Sequence, residues 1–204
     1  MKTWIVRLLI TSTLCVAQSC YALSKPPLTP EQKQSNFIQS LVKEDHFNRN
    51  ELINLFKKTH YDPSLSRFFT HSAEKKTWTQ YKPILVTPKR IQDGVTFWNK
   101  NKATLHAAYQ RFGVPPSIII STLGIESNYG QRTGDFNTLN VLTTLSFYNT
   151  QRSAFFTTQL RALLLLARER QQNPASFQGS YAGAIGMVQF MPSIYRQYAI
   201  AYRP

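Results

Sequence analysis

The amino-acid sequence predicts an all-α protein, and three observations support this class. Apolar residues recur with helical spacing in most segments, and helix-start signals precede several of those segments. No segment shows a convincing alternation of apolar and polar residues of the kind that predicts a strand. The length of 204 residues allows one domain, or one domain with a small helical lobe.

Two helices are predicted in an amino-terminal helical segment, residues 23–86. Thr29 should cap the first helix, because Pro30 follows at its first position and Gln32 can complete a capping box. Asn48 should cap the second helix. The apolar residues that the two helices would bury are Phe37, Ile38, Leu41, Val42, Leu52, Leu55 and Phe56.

A core over residues 87–204 is predicted to hold the remaining helices. Thr87 and Pro88 start a long amphipathic helix over roughly 89–112, and Gly113 is its expected stop. Pro115 and Pro116 open a helix to about Ser127 that is apolar nearly all round, which is typical of a helix in the middle of a core. Further helices are predicted over 138–147, 152–171 and 187–198, with a small-residue loop over 179–186.

The first 22 residues have the layout of a secretory signal peptide. Lys2 and Arg7 form a basic start, an apolar stretch runs from Leu8 to Ala17, and small residues follow. Cleavage after Ala22 would give a soluble exported product. Lipidation of Cys20 is the alternative, which would give an outer-membrane lipoprotein. The pattern around Cys20 favours the soluble form, and we expect a periplasmic monomer.

The charge predicts an anionic partner outside the cytoplasm. The net charge is +14, and removal of residues 1–22 would leave +12. Cell-wall polymer and the membrane surface are the candidate partners, whereas the export signal argues against nucleic acid. The folded part has no cysteine and few acids, so we expect neither a metal nor another cofactor.

Glu126 is the candidate catalytic group. It ends the apolar helix, and a carboxyl group that loses its hydration on burial is favoured in the neutral form, as a general acid requires. The alternative is an ordinary surface glutamate at a helix end. After Glu126 only Asp135 and Glu169 remain as acids; Asp135 resembles a turn residue and Glu169 a residue of a solvated face. The scarcity of acids therefore favours chemistry with a single carboxylate over the usual glycosidase pair.

Three motifs in a fixed order closely resemble the lytic murein transglycosylase B family. They are Gly124-Ile125-Glu126-Ser127-Asn128-Tyr129-Gly130, then Leu145-Ser146-Phe147, then the segment from Gly179 through Gln189-Phe190-Met191-Pro192 to Ser193. The resemblance covers roughly residues 75–200. It implies a lysozyme-like fold with an amino-terminal helical lobe. It also implies cleavage of peptidoglycan glycan strands that leaves a 1,6-anhydro ring on N-acetylmuramic acid.

The resemblance also assigns roles to single residues. Glu126 matches the family's sole catalytic carboxylate, which first protonates the glycosidic oxygen and then takes the proton of the attacking C6 hydroxyl. Ser180 matches a serine that is expected to hydrogen-bond the sugar or Glu126, and Gln189 matches a saccharide contact. Arg152 matches the second of two arginines that meet the wall peptide or the muramyl carboxylate. The first of that pair is Gln151 here. Phe155 stands where the family often has tyrosine, and Tyr81 aligns less securely with an active-site tyrosine.

Two departures from the family pattern affect these expectations. Met187 and Val188 replace a family Tyr-Gly, which changes one saccharide subsite. The family also continues past the segment that ends at Pro204, so part of the groove wall and a calcium-binding loop would be missing from a chain of this extent. We expect reduced stability, and activity stays open. The alternatives are a non-catalytic wall-binding or scaffold protein, and an unrelated basic exported helical protein.

Overall fold

The computed structural model describes residues 26–70, 76–149 and 151–199, and these residues are mainly helical. The all-α prediction is confirmed. A two-stranded antiparallel ladder pairs Phe136 with Gly179. The elements are α1 (Pro30–Asp45), α2 (Arg49–Phe56), α3 (Arg67–Thr70), α4 (Trp78–Leu85), α5 (Pro88–Lys100), α6 (Lys102–Phe112), α7 (Pro116–Ser127), β1 (Phe136–Asn137), α8 (Thr138–Phe147), α9 (Ser153–Glu169), β2 (Gln178–Gly179) and α10 (Pro192–Tyr198).

The predicted helix boundaries that depend on capping residues are confirmed. Thr29 and Gln32 form the capping box of α1, and the Asn48 side chain accepts from two backbone amides at the start of α2. Thr87 caps α5 through the amide of Arg90. Gly113 ends α6 in the left-handed region, with φ of 69°. These boundaries rest on local interactions, which is why the sequence alone identifies them.

Two predicted helix ranges are wrong. The predicted helix over 89–112 is two helices, α5 and α6, because the chain leaves helical geometry at Asn101, whose side-chain amide donates to the carbonyl of Phe97 at 2.8 Å. The last helix starts at Pro192 rather than at Met187. The preceding residues form tight turns, with Gln189 at φ of 51° and a bridge between Ile185 and Phe190.

The core lies between the amino-terminal helices and the α8–α9 pair. α1 packs against α2 and α8, and α8 packs along α9. Rings of Phe37, Phe56 and Phe147 meet with centroids 5.8 to 6.2 Å apart, so the three helices α1, α2 and α8 share one aromatic cluster. Arg161 of α9 adds ion pairs of 2.7 Å to both Glu44 and Asp45 at the end of α1.

Helix α7 does not lie in the middle of the core, contrary to the prediction. One side packs against α5 and α6 and buries Ile120 and Leu123. The other side leaves Ile118 and Ile125 more than half exposed, at 55% and 53%. The sequence pattern failed here because an all-round apolar helix predicts partners on every side, whereas α5 and α6 cover only one side among the described residues.

Within the described residues, none of the helices has the length and apolar character needed to cross a membrane. The predicted signal peptide and Cys20 lie outside the described residues.

Candidate functional site

Glu126 lies in the last turn of α7, and its side chain is exposed. The expectation that apolar surroundings bury this carboxyl group is therefore wrong. The two residues that flank Glu126 differ sharply in solvent exposure, since Ile125 is 53% exposed whereas Ser127 is 1% exposed. Because Glu126 belongs to the open side of α7, water reaches its carboxylate, and within the described part of the chain it forms no hydrogen bond or ion pair.

Ser127 connects the end of α7 to a distant loop. Its hydroxyl donates to the carbonyl oxygen of Met187 at 2.6 Å and accepts from the amide of Gly130 at 3.0 Å. Met187 also packs over Gly130, where an added Cβ would come within 2.9 Å of the Met187 Cε atom. The residue directly after Glu126 thus fixes the helix end against the loop 179–190.

The turn after α7 is formed by two left-handed residues. Asn128 has φ of 49° and Tyr129 has φ of 60°. The Tyr129 hydroxyl donates to the carbonyl of Arg90 at 3.0 Å, and its ring stacks on Phe97 with centroids 5.6 Å apart. Tyr129 therefore anchors the turn to α5 and sets the direction in which α7 ends.

Ser180 organises the loop that faces this turn. Its Oγ accepts hydrogen bonds from the amides of Ala182 and Ala184, at 3.3 and 3.1 Å, and its own amide donates to the Ala184 carbonyl at 2.9 Å. Gly183 has φ of 85° and lies so close to Leu142 that a Cβ would meet its Cδ2 atom at 2.5 Å. The hydroxyl hydrogen of Ser180 has no acceptor among the described residues, so the hydroxyl keeps its capacity to donate.

Gln189 joins the two loops. Its amide nitrogen donates to the carbonyl of Thr133 at 2.9 Å and to the carbonyl of Gly186 at 2.8 Å. The side-chain carbonyl is the part of this amide that is left to meet a ligand. The structure thus brings Gln189 to the loop after Glu126, which agrees with their assignment to one site, while its saccharide contact stays a prediction.

Arg152, Gln151 and Phe155 lie at the start of α9. The Arg152 guanidinium stands over the ring of Phe155 at 4.5 Å and over that of Phe156 at 5.5 Å. Gln151 is exposed and borders a cavity of about 360 Å³ next to Phe69. This end of α9 therefore presents a cation on an aromatic base beside an open cavity.

Aromatic residues that the sequence analysis did not single out link the loop with Ser180 to the start of α9. Tyr181 in the Ser180 loop stacks on Phe68 with centroids 4.6 Å apart and meets the edge of Phe69 at 5.8 Å. Phe69 in turn meets Phe156 at 6.1 Å. In the sequence, the adjacent Phe68 and Phe69 of α3 are the only sign of this link. The residues that they contact lie far away along the chain.

Tyr81 lies on α4 and is half-buried. Its assignment as an active-site residue stays a prediction, as do the roles of the other assigned residues. Asp135 is an exposed turn residue. Glu169 is exposed and forms an ion pair with Arg196.

Comparison with known proteins places this geometry in context. Residues 29–203 match the family model described as the transglycosylase SLT domain. The membrane-bound lytic murein transglycosylase B of Escherichia coli K12 is 35% identical over an alignment of 176 residues, and the match covers 81% of this chain and 49% of that protein. The chain thus spans about half the length of this curated relative.

Two solved structures resemble this chain closely. The soluble lytic transglycosylase SltB1 from Pseudomonas aeruginosa has a TM-score of 0.81 at 39% identity, and the match covers 83% of this chain and 58% of that chain. SltB3 from the same organism, solved in complex with NAG-NAM-pentapeptide, has a TM-score of 0.78 at 25% identity, covering 87% of this chain and 47% of that chain. The predicted lysozyme-like fold is thereby confirmed.

Proposed function

Because the chain belongs to the transglycosylase SLT family, we propose that it cleaves the glycan strands of peptidoglycan in the periplasm with Glu126 as acid and base. The observation that carries this proposal is the position of Glu126. It lies in the last turn of α7 next to Ser127, whose hydrogen bond to Met187 holds the loop with Ser180 and Gln189 against the same helix end. The complex of SltB3 with NAG-NAM-pentapeptide supports a glycan with a peptide as the ligand class.

Because Glu126 is exposed in the free protein, the bound substrate would have to desolvate its carboxyl group. A bound saccharide covers the exposed carboxyl group and removes its water, which favours the neutral acid that must donate the proton. Ile125 and Ile118, exposed on the same helix, offer an apolar surface that a bound partner would cover in the same way. Glu126 would then be desolvated in the complex rather than in the free protein.

The proposed reaction uses one carboxyl group twice. Glu126 donates its proton to the oxygen that links N-acetylmuramic acid to N-acetylglucosamine, and the bond from C1 to that oxygen breaks. The C6 hydroxyl of the same muramyl residue attacks C1, and the Glu126 carboxylate accepts the hydroxyl proton. The product is a 1,6-anhydromuramyl end, with no water consumed. The intramolecular hydroxyl competes with water because it is already held next to C1.

A second candidate function is binding of the cell wall without cleavage. The exposed, unpartnered Glu126 favours it, because no group in the described residues withdraws water from the carboxylate. The net charge, +14 for the full sequence and +12 without residues 1–22, would attract the chain to an anionic polymer. The chain also spans only about half of its curated relative, so the activity of that protein is carried over here as a proposal.

Incubation of the purified chain with peptidoglycan, followed by mass analysis of the soluble products, distinguishes cleavage from binding without cleavage. The proposed reaction yields muropeptides that are lighter by one water than hydrolysis products. Hydrolysed products would contradict the ring closure, and binding to the sacculus without soluble products would establish the second candidate.

A further inference from the structure

We propose that a basic pocket beside the turn after α7 binds carboxylate groups of the stem peptide that the glycan strand carries. This inference rests on the proposed function and names a part of the substrate that it would recognise. The pocket is a cavity of about 330 Å³ between the start of α5 and the turn at Asn128. The residues that matter to the argument are Thr87, Lys89, Arg90, Asp93, Asn128 and Arg132.

The pocket carries a positive charge that its own acid does not neutralise. Asp93 is its only acid among the described lining residues and pairs with Lys89 at 2.7 Å. Arg90 is held by the chain, since its guanidinium donates to the carbonyl of Leu85 at 2.5 Å. Arg132 is exposed, and its guanidinium has no hydrogen bond or ion pair with any described residue. An anion entering the pocket would thus meet one fixed and one available guanidinium.

The backbone adds to this positive potential. Helix α5 has 13 residues and begins at Pro88, so the positive end of its dipole lies at the pocket. Thr87 caps the helix and also lines the cavity. The helix end strengthens the attraction for an anion that the two arginines already favour.

The position of the pocket connects it to Glu126. Asn128 follows Glu126 by two residues, and the amide of Arg132 donates to the carbonyl of Ser127 at 2.8 Å. None of the pocket residues belongs to the aromatic cluster around Arg152, so the site has two separate basic regions. A glycan strand carries a stem peptide on each muramyl residue. A strand bound at Glu126 therefore carries more than one stem peptide past this end of α7. One peptide could meet the region around Arg152 and a second could meet the pocket.

Binding to two forms of the same glycan tests this inference. Full-length Glu126→Gln protein, which should bind without cleaving, is titrated with glycan strands that carry stem peptides and with strands from which an amidase has removed them. Arg132→Ala is introduced in this background, with Arg132→Lys as the charge-conserving variant. Arg111→Ala serves as the matched control, because Arg111 is an exposed arginine at the end of α6 that lies over Phe112.

We expect Arg132→Ala to weaken binding of peptide-bearing strands by up to about fivefold, the upper end of the range for an exposed charge pair. Arg132→Lys should retain most of the affinity, and binding of stripped strands should not change. If Arg132→Ala and Arg111→Ala bind the peptide-bearing strands equally, or if the loss is the same on stripped strands, the stem-peptide pocket is refuted. Loss of affinity only for vesicles of anionic phospholipid would also refute it, in favour of a membrane contact. If the parent protein binds neither strand, the proposed function itself fails.

Discussion

The hydroxyl of Ser127 donates a hydrogen bond of 2.6 Å to the carbonyl oxygen of Met187, which lies 60 residues further along the chain. The Oγ atom of Ser127 also accepts a hydrogen bond from the amide of Gly130 at 3.0 Å. One buried side chain thereby joins the end of α7, the turn that follows it and the loop that holds Ser180 and Gln189. Since Glu126 precedes Ser127 directly, this bond sets where the carboxylate stands relative to both loops.

Ser127→Ala should lower the free energy of unfolding by about 1–3 kcal/mol, because it removes two part-buried hydrogen bonds, to Met187 and from Gly130, each worth about 0.5–1.5 kcal/mol. Activity should fall as well, since the loop is no longer fixed to the end of α7. Thermal unfolding and product formation measure the two effects. Ser121→Ala is the control, because the exposed Ser121 hydroxyl bonds only within its own helix. Equal effects of the two substitutions would contradict the proposed link.

Gly94→Ala should destabilise the contact between α5 and Tyr129. An added Cβ at Gly94 would lie 2.5 Å from the Tyr129 hydroxyl oxygen, which is held in place by its bond to the carbonyl of Arg90. We expect a loss of about 1–3 kcal/mol in the free energy of unfolding, as for other overpacked sites.

A double-mutant cycle with Tyr129→Phe checks this contact by urea denaturation. Removal of the hydroxyl should make Gly94→Ala less costly in the Tyr129→Phe background than in the wild type. Strictly additive effects of the two substitutions would show that the hydroxyl is not what the new methyl group meets.

Gln189→Glu should weaken the connection between the loops. In the wild type, the Gln189 amide nitrogen donates to the carbonyls of Thr133 and Gly186. A carboxylate at this position would place an acceptor against both carbonyls. A loss of about 1–3 kcal/mol in the free energy of unfolding is expected. The same change at the exposed Gln178 is the control. An unchanged melting temperature for Gln189→Glu would contradict the observed orientation of the amide.

The Glu169–Arg196 pair predicts a dependence of stability on pH. The hydrogen bond from Arg196 lowers the pKa of Glu169 below its ordinary value of 4.5. A carboxyl group with a lowered pKa stabilises the fold above its unfolded pKa, and this contribution is lost as the pH falls through the folded pKa.

Arg196→Gln should therefore cost at most about 1 kcal/mol near pH 7, because the pair is exposed. The difference from the wild type should shrink as the pH falls below 4.5 and disappear when Glu169 is protonated in both proteins. Denaturant titrations at several pH values measure this difference. A constant difference across the acidic range would show that the substitution acts through packing.

Local signals in the sequence sufficed to predict many of the helices. Capping residues such as Thr29, Asn48 and Gly113 act on their immediate neighbours, so their effect can be inferred without knowing the fold. Asn101 is the exception, because an asparagine can serve either as a surface residue of a continuous helix or as a break between two helices.

The environment of Glu126 could not be predicted in the same way. Its burial depends on which elements pack against α7, and the apolar residues Ile118 and Ile125 do not identify those elements. The contacts of Ser127 with Met187 and of Gln189 with Thr133 likewise join residues that are far apart in the chain. The motifs indicated that these residues belong together, whereas the hydrogen bonds that hold them required the structure.

The rate of release of anhydromuropeptides by Glu126→Gln protein tests the central claim most directly. Loss of a positioned general acid and base should slow product formation by at least about a hundredfold. Glu51→Gln, at an exposed glutamate in α2, should retain the wild-type rate. A Glu126→Gln protein that binds peptidoglycan but releases no anhydro product would support the assignment. Release at the wild-type rate would contradict it.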